Sequence, residues 1–303
     1  MPLRRALLLA VGVAAVGFAA IFVKLARAPS LSIALYRNAF AAAVLLPLAL
    51  ARRPGELRRL TARQWAAAIG AGALLAIHFA TWISSLALTT VASSVVLVSA
   101  SPVFSAAGSR LLFRERTSRA ALLGIAVALA GAGVVSGGDI ALSGRALAGD
   151  LLALAGAVTA SGYFLAGRGL RQEISLLTYV AVAYTACAVV LVPIAIVGGA
   201  PLGGLPARSW IMFALLALVP QLVGHTTFNY LLRDMDATLV GIAVMGEPIV
   251  STALAALLLR QVPPWTALAG GAVLLAGVYV ALVGQSRAAA GRARAAPVEL
   301  PLE

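Results

Sequence analysis

The sequence predicts an all-α membrane protein of about ten transmembrane helices, arranged as two inverted five-helix repeats. Three observations carry this expectation. Of 303 residues, 62% are hydrophobic and 11% charged, with a mean hydropathy of +1.00, which is more apolar surface than a water-facing shell can hide. The apolar residues gather into runs of roughly 18 to 24, enough to cross about 30 Å of hydrocarbon at about 1.5 Å per residue. A gapless offset of 146 positions superposes the second half of the chain on the first, as in Pro102 with Pro248 and Pro47 with Pro193. The runs are rich in Ala, Leu, Val and Gly and lack the alternation of a membrane barrel, so their backbone groups must pair within helices.

Charges, prolines and glycines divide the runs into spans at 6–26, 31–51, 64–86, 91–113, 120–137, 148–168, 175–197, 209–231, 238–259 and 264–285. The first follows Arg4-Arg5 and precedes Ala26-Arg27-Ala28, an outline that resembles a secretory signal. Its length exceeds the usual apolar core of about 7 to 15 residues, and Lys24 and Pro29 interrupt the cleavage region, so it reads as an uncleaved helix. The second span holds Arg37, and the third and eighth carry polar stripes. Pro102 and Pro248 mark bends in the fourth and ninth. The fifth and tenth carry heptad-spaced small residues, Gly124, Gly131 and Gly138 against Gly270, Gly277 and Gly284, which close helix packing explains. Residues 286–303 are rich in Ala, Arg and Pro and read as a disordered cytoplasmic tail. The organisation is therefore a first repeat over 1–143, a second over 144–285, and the tail.

The net charge of +13 raises the question of nucleic acid, which the placement of the charges answers. The basic residues sit at helix ends, with no basic face interleaved with stacking aromatics, so no nucleic-acid partner is expected. With the N-terminus inside, seventeen of the 23 basic residues fall on the cytoplasmic side and five on the other, with Arg37 left within a helix. That bias places both termini in the cytoplasm of a multi-pass protein of the cell membrane, here the bacterial inner membrane. The single cysteine, Cys187, has no partner for an internal disulfide, and metal-ligand spacings are absent, so neither metal nor cofactor is expected.

The offset is clearest where SPVFSAAGSRLLFRERTSRAALLGIAVALAGAGVV (101–135) faces EPIVSTALAALLLRQVPPWTALAGGAVLLAGVYVA (247–281). It pairs Ser105 with Ser251 and Arg114 with Arg260, too extended a match for shared composition, and reads as a duplication. An odd number of crossings per half inverts the second repeat, an architecture characteristic of secondary transporters with a substrate site between the halves. These blocks, with FAAIFVKLARAPSLSIALYRNAFAAAVLLPLA in the first two spans, resemble the two EamA domains of the drug/metabolite transporter superfamily over about residues 6–285. The resemblance implies ten helices, alternating access, and export or exchange of small metabolites such as amino acids. The family pattern ends the fourth and ninth helices in an acid; Glu115 fits, and Gln261 stands at the second position.

Charges within the hydrocarbon cost about 2.5 to 3.5 kcal/mol even on insertion scales, so each needs a role. Glu247 precedes Pro248, whose missing N–H frees the Val244 carbonyl. That acid can take a cation, a substrate ammonium or a proton, or hold helices together through an arginine. Arg37 can meet a substrate carboxylate or snorkel outward, and Lys24 ends the first helix near the interface. His78, Trp82 and Ser85 share one face of the third helix, and Gln221, His225 and Asn229 share one face of the eighth. The offset relates these helices and maps Trp82 onto Phe228. On the sixth, Thr159 and Tyr163 are four apart, and Tyr163 offers an aromatic wall with a hydroxyl.

The expected site is thus a central cavity lined by the first, third, fourth, sixth, eighth and ninth helices. His78, Trp82, Tyr163, Gln221, His225, Asn229 and Glu247 would bind a small-molecule substrate, and Glu247, His78 and His225 are the candidate proton carriers. Each histidine has the alternative of a plain interhelical hydrogen bond. No phosphate-binding loop occurs, which excludes direct ATP drive. An intramembrane enzyme is the competing class, but HExxH and GxSxG are absent and catalysis does not require two inverted halves. A passive channel would keep the duplication without needing Glu247.

Overall fold

The computed structural model describes residues 3–113, 118–233, 235, 240, 244 and 246–295, and every regular element among them is helical. Helices α1 (Leu3–Gly17) and α2 (Ala19–Ala26) make one apolar span with a break at Phe18. The hydroxyl of Ser251 donates to the Gly17 carbonyl at 2.9 Å, satisfying a group released at that break. Next come α3 (Ser30–Arg52) and the short surface helix α4 (Pro54–Arg59). Helix α5 (Ala62–Leu88) starts from a reciprocal cap between Thr61 and Gln64. Helices α6 (Val91–Val98) and α7 (Ser101–Phe113) divide the fourth span at Ser99 and Ala100, immediately before Pro102, which cannot continue the preceding hydrogen-bond ladder.

Helix α8 (Arg119–Leu142) ends the first repeat, and the second opens with α9 (Gly144–Leu170) and α10 (Leu176–Val197), which are capped by the side chains of Ser143 and Ser175. The eighth span is composite: α11 (Ala207–Leu216), a π-helical stretch over Ala217–His225, and α12 (Thr226–Leu231). Helices α13 (Glu247–Leu259) and α14 (Trp265–Ala295) are the last of the described elements. Among the described residues six spans, Leu3–Ala26, Ser30–Arg52, Ala62–Leu88, Gly144–Leu170, Leu176–Val197 and Ala207–Leu231, are long and apolar enough to cross a membrane, and four shorter apolar helices accompany them.

Two expectations change. The final helix runs to Ala295, through the first part of the expected tail, because alanine and arginine prolong a helix once one is under way. Glu247, expected near mid-helix, instead occupies the first turn of α13 beside Pro248, where a proline costs no intrahelical bond. Glu115 lies outside the described residues. Gln261 accepts from the Val91 backbone N–H at 3.4 Å and so helps close the start of α6.

The repeats meet along a seam between α8 and α14. A Cβ on Gly124 would strike the backbone of Gly277 and Ala281, and one on Gly270 would strike that of Gly131. The offset of 146 turns the first contact into the second, as two-fold-related halves require. Backbones approach this closely only over small residues, which explains the glycine stripes on both helices. Gly138 lies outside the residues whose surroundings are described. The main apolar core packs α3, α5 and α10 together, with Gly72 of α5 against the backbone of Ala183 and Cys187.

Candidate functional site

Away from that seam, a cavity of about 50 Å³ lies between the halves, room for a few water molecules. Its wall is drawn from α1, α2, α5, α6, α9, the end of the π-helical stretch and α12, with Ser99, Ser101 at the start of α7, Val244 and Glu247 at the start of α13. These belong to the first, third, fourth, sixth, eighth and ninth spans. Five side chains singled out from the sequence line it: His78, Trp82, Tyr163, His225 and Glu247. Gln221 and Asn229, also singled out, are fully buried one layer behind.

The lining follows the duplication. Trp82 and Phe228, Val98 and Val244, and Ser101 and Glu247 are pairs related by the offset, and both members of each pair face the cavity. Phe79 and His225, also related by it, touch edge-on with centroids 5.6 Å apart, which locates the relating axis between α5 and the π-helical stretch. In the last of the lining pairs one half supplies a serine and the other a glutamate, so the two halves differ where charge matters most.

His78 is held from two sides. Its Nδ1–H donates to the Gly156 carbonyl at 2.9 Å, and its ring lies parallel to the Trp82 indole at 6.0 Å. Because a carbonyl only accepts, the neutral ring presents Nε2 as its remaining acceptor. Tyr163 receives a hydrogen bond at its hydroxyl from Asn229 Nδ2 at 2.7 Å, and Asn229 also donates to the His225 carbonyl, which fixes the tyrosine against α12. Trp82 Nε1 and His225 Nδ1 are buried without a protein partner, which leaves polar capacity on two side chains of the cavity wall. Ser85 turns away to Ser94 at 2.6 Å, and Thr159 bonds back to its own helix at Ala155; neither reaches the cavity.

Arg37 does not snorkel outward. It is completely buried, its guanidinium 3.9 Å from the centre of the Phe79 ring, with Nη2 donating to Gln221 Oε1 at 2.8 Å. Nε and Nη1 have no protein partner. Arg37 and Glu247 interact electrostatically without forming an ion pair. Gln221 therefore serves the arginine, and its own Nε2 is left over. Lys24 is half-buried, with its ammonium donating to the Leu86 carbonyl at the end of α5.

The sequence already pairs Ser101 with Glu247 through the offset and so anticipates an asymmetric site, but it passes over Phe79 and Phe164 as parts of this region. Phe79 was discoverable, since the offset maps it onto His225. Phe164 carried no signal, because a phenylalanine in an apolar helix is unremarkable until the helix rotation is known. Among the described residues no group of His, Cys, Asp and Glu is arranged to hold a metal ion.

Comparison with known proteins bears on this geometry. Residues 4–137 and 147–283 each match the profile of the EamA-like transporter family. A protein of Streptantibioticus cattleyicolor, named "Probable terminal-alkyne amino-acid exporter", is 29% identical over 187 residues, which make up 60% of this chain and 61% of that relative. A solved structure described only as the crystal structure of a protein superposes with a TM-score of 0.69 at 21% identity, covering 94% of this chain and 98% of the other. That likeness is one of fold.

Proposed function

The chain belongs to the EamA-like transporter family, and from that premise we propose that it exports or exchanges small polar metabolites such as amino acids by alternating access through the central cavity. The observation that carries the reading is the composition of that cavity: repeat-related residues from both halves enclose it, and Glu247 is the acid on its wall. An inverted pair of five-helix repeats, ten crossings in all, with both termini in the cytoplasm of a bacterial cell, is the arrangement this mechanism uses. The amino-acid exporter name of the relative supports the substrate class.

At about 50 Å³ the cavity admits water but no metabolite, so the halves must part on one side for substrate to enter. The break before Pro102 and the helix start at Glu247-Pro248 supply the bends at which that motion would occur. Glu247 receives a substrate ammonium or a proton. His78 and His225 are further proton carriers, and Trp82 and Tyr163 form the walls. Gln221 and Asn229 position Arg37 and Tyr163 from behind. Arg37 supplies the internal positive charge that balances Glu247 or a substrate carboxylate, while Lys24 anchors α2 to the end of α5.

The test is uptake of radiolabelled amino acids and metabolites into proteoliposomes, with and without an imposed pH gradient, for wild type and Glu247→Gln. Saturable uptake above empty liposomes is expected, responsive to the gradient and reduced at least tenfold in the variant. Absence of saturable uptake for every compound would overturn the transport reading. Uptake unaltered by the substitution and indifferent to the gradient would remove Glu247 from the mechanism.

A further inference from the structure

A second and much larger concavity, about 690 Å³, opens on the flank of the bundle between α3, α10 and α12. Its two ends differ in chemistry. At one end stand Arg52, Arg53 and Arg233, all exposed. Along the wall lie Leu45, Leu48, Leu176 and Val180. Leu45 precedes Arg52 by seven residues of continuous helix, so the apolar wall reaches about 10 Å deeper than the charges. Tyr230 lies at the rim, and its hydroxyl accepts from Arg4 Nη2 at 3.5 Å, bringing another cation to the mouth.

Among the described residues no salt bridge engages Arg52, Arg53 or Arg233. Glu56, which acts electrostatically on Arg53, has both oxygens committed to Ser175 and Thr178. Arg171, behind the rim, donates to the carbonyls of Asn229 and Ile174 and so holds the α9–α10 turn onto α12. Asp234 and Asp236 lie outside the described residues. What remains is a cluster of guanidinium groups above an apolar slot, at the side of the molecule where the excess of basic residues places the cytoplasm.

We propose that this groove binds an anionic phospholipid of the inner leaflet, its phosphate held by Arg52, Arg53 and Arg233 and its acyl chains lying against the leucine wall. A soluble anion makes no use of the apolar slot, and a zwitterionic lipid makes little use of three exposed guanidinium groups gathered at its mouth. Basic pockets between membrane helices on the cytoplasmic side have the chemistry that anionic headgroups require. Since α3 belongs to the first repeat and α10 and α12 to the second, the bound lipid bridges the halves and tightens their association.

The probes are dioleoylphosphatidylglycerol and dioleoylphosphatidylcholine, titrated into delipidated full-length protein in detergent and read by native mass spectrometry and by the thermal midpoint. Phosphatidylglycerol is expected to bind and raise the midpoint, with phosphatidylcholine doing neither. Each of Arg52→Gln, Arg53→Gln and Arg233→Gln should weaken phosphatidylglycerol about fivefold, and the triple variant should lose the preference. A control triple, Arg58→Gln with Arg59→Gln and Arg287→Gln, removes equal charge from exposed sites outside the groove and should keep it. The proposal is overturned if the control loses the preference equally, if the two lipids bind alike, or if inorganic phosphate displaces phosphatidylglycerol at comparable concentration.

Discussion

Helix α5 and the composite span from α11 to α12 occupy the same place in the two repeats, and they are built differently. Helix α5 runs unbroken for 27 residues from its Thr61 cap. Its partner winds as a π-helix for nine residues around Pro220. Proline has no N–H to give the carbonyl four residues earlier and crowds it sterically, and a wider turn accommodates both problems. The hydroxyl of Thr226 donates to the Gln221 carbonyl at 3.2 Å, serving an acceptor within the wound stretch. Where α5 has His78, bonded across to α9, the π-helical stretch has Gly224, packed directly on Val16 of α1. Duplication supplied two similar helices; one kept a regular winding and the other took up a π-helical stretch, and such stretches concentrate at functional sites.

Arg37 touches both members of this pair, through the Phe79 ring on one side and the Gln221 amide on the other. If the amide dominates, Gln221→Leu leaves a buried guanidinium with no hydrogen bond in the protein and should cost about 2–3 kcal/mol in thermal or denaturant unfolding in detergent. Phe79→Leu removes a cation–π contact and some packing and should cost less, about 1–2 kcal/mol. Equal losses would mean that the two walls hold Arg37 alike. A smaller effect is expected from Pro220→Ala, which restores the missing N–H and permits a regular helix. Stability should rise slightly, because the π-helical winding already relieves most of the proline's clash, while uptake falls, because His225 would rotate relative to the cavity. A rise in stability with unaltered uptake would show the π-helical winding to be incidental.

The loops leading into these two spans sharpen the same contrast. Before α5, Glu56 accepts from the Ser175 N–H, the Ser175 hydroxyl and the Thr178 hydroxyl at 2.6–2.8 Å, which latches α4 to the start of α10. Before α11, the equivalent latch is made by backbone carbonyls: Ser32 donates to Pro201 at 2.8 Å and Tyr36 donates to Leu202. The offset exchanges Glu56 with Leu202 and Thr178 with Ser32, so one latch titrates and its counterpart does not. Partial burial raises the Glu56 pKa, but the bonds from Ser175 and Thr178 and the charge of Arg53 outweigh it, holding the carboxyl below its usual range. The contribution of this latch is therefore complete above the ordinary glutamate value of about 4.3 and lost as pH falls through the depressed one. The midpoint of wild type should exceed that of Glu56→Gln by a degree or two, roughly, at pH 7, with the gap closing as pH falls below the ordinary glutamate range. A gap that persists in acid would assign the effect to packing.

Much of this was legible in the residues. The apolar run lengths pointed to a helical membrane protein, and the offset pointed to the duplication. The offset also anticipated that Trp82 and Phe228 would hold matching places, as they do on the cavity wall. The glycine stripes announced a close helix seam, which α8 and α14 form. Other features were hidden for stated reasons. Gln221 looked like a cavity residue because it shares a helical stripe with His225 and Asn229, yet the winding around Pro220 and the burial of Arg37 turn it to a different partner. The tail looked disordered because its composition is simple, but simple alanine-rich composition also extends a helix.

The sequence by itself determined the membrane-helical class, the repeat and the identity of the polar residues, because bilayer thickness and backbone hydrogen bonding act on contiguous stretches of chain. Only the tertiary structure decided which polar groups meet. Arg37 and Gln221 are 184 residues apart, and Tyr163 and Asn229 are 66 apart. Whether such pairs form depends on the rotation of each helix about its own axis, and that rotation is set by packing against all its neighbours at once.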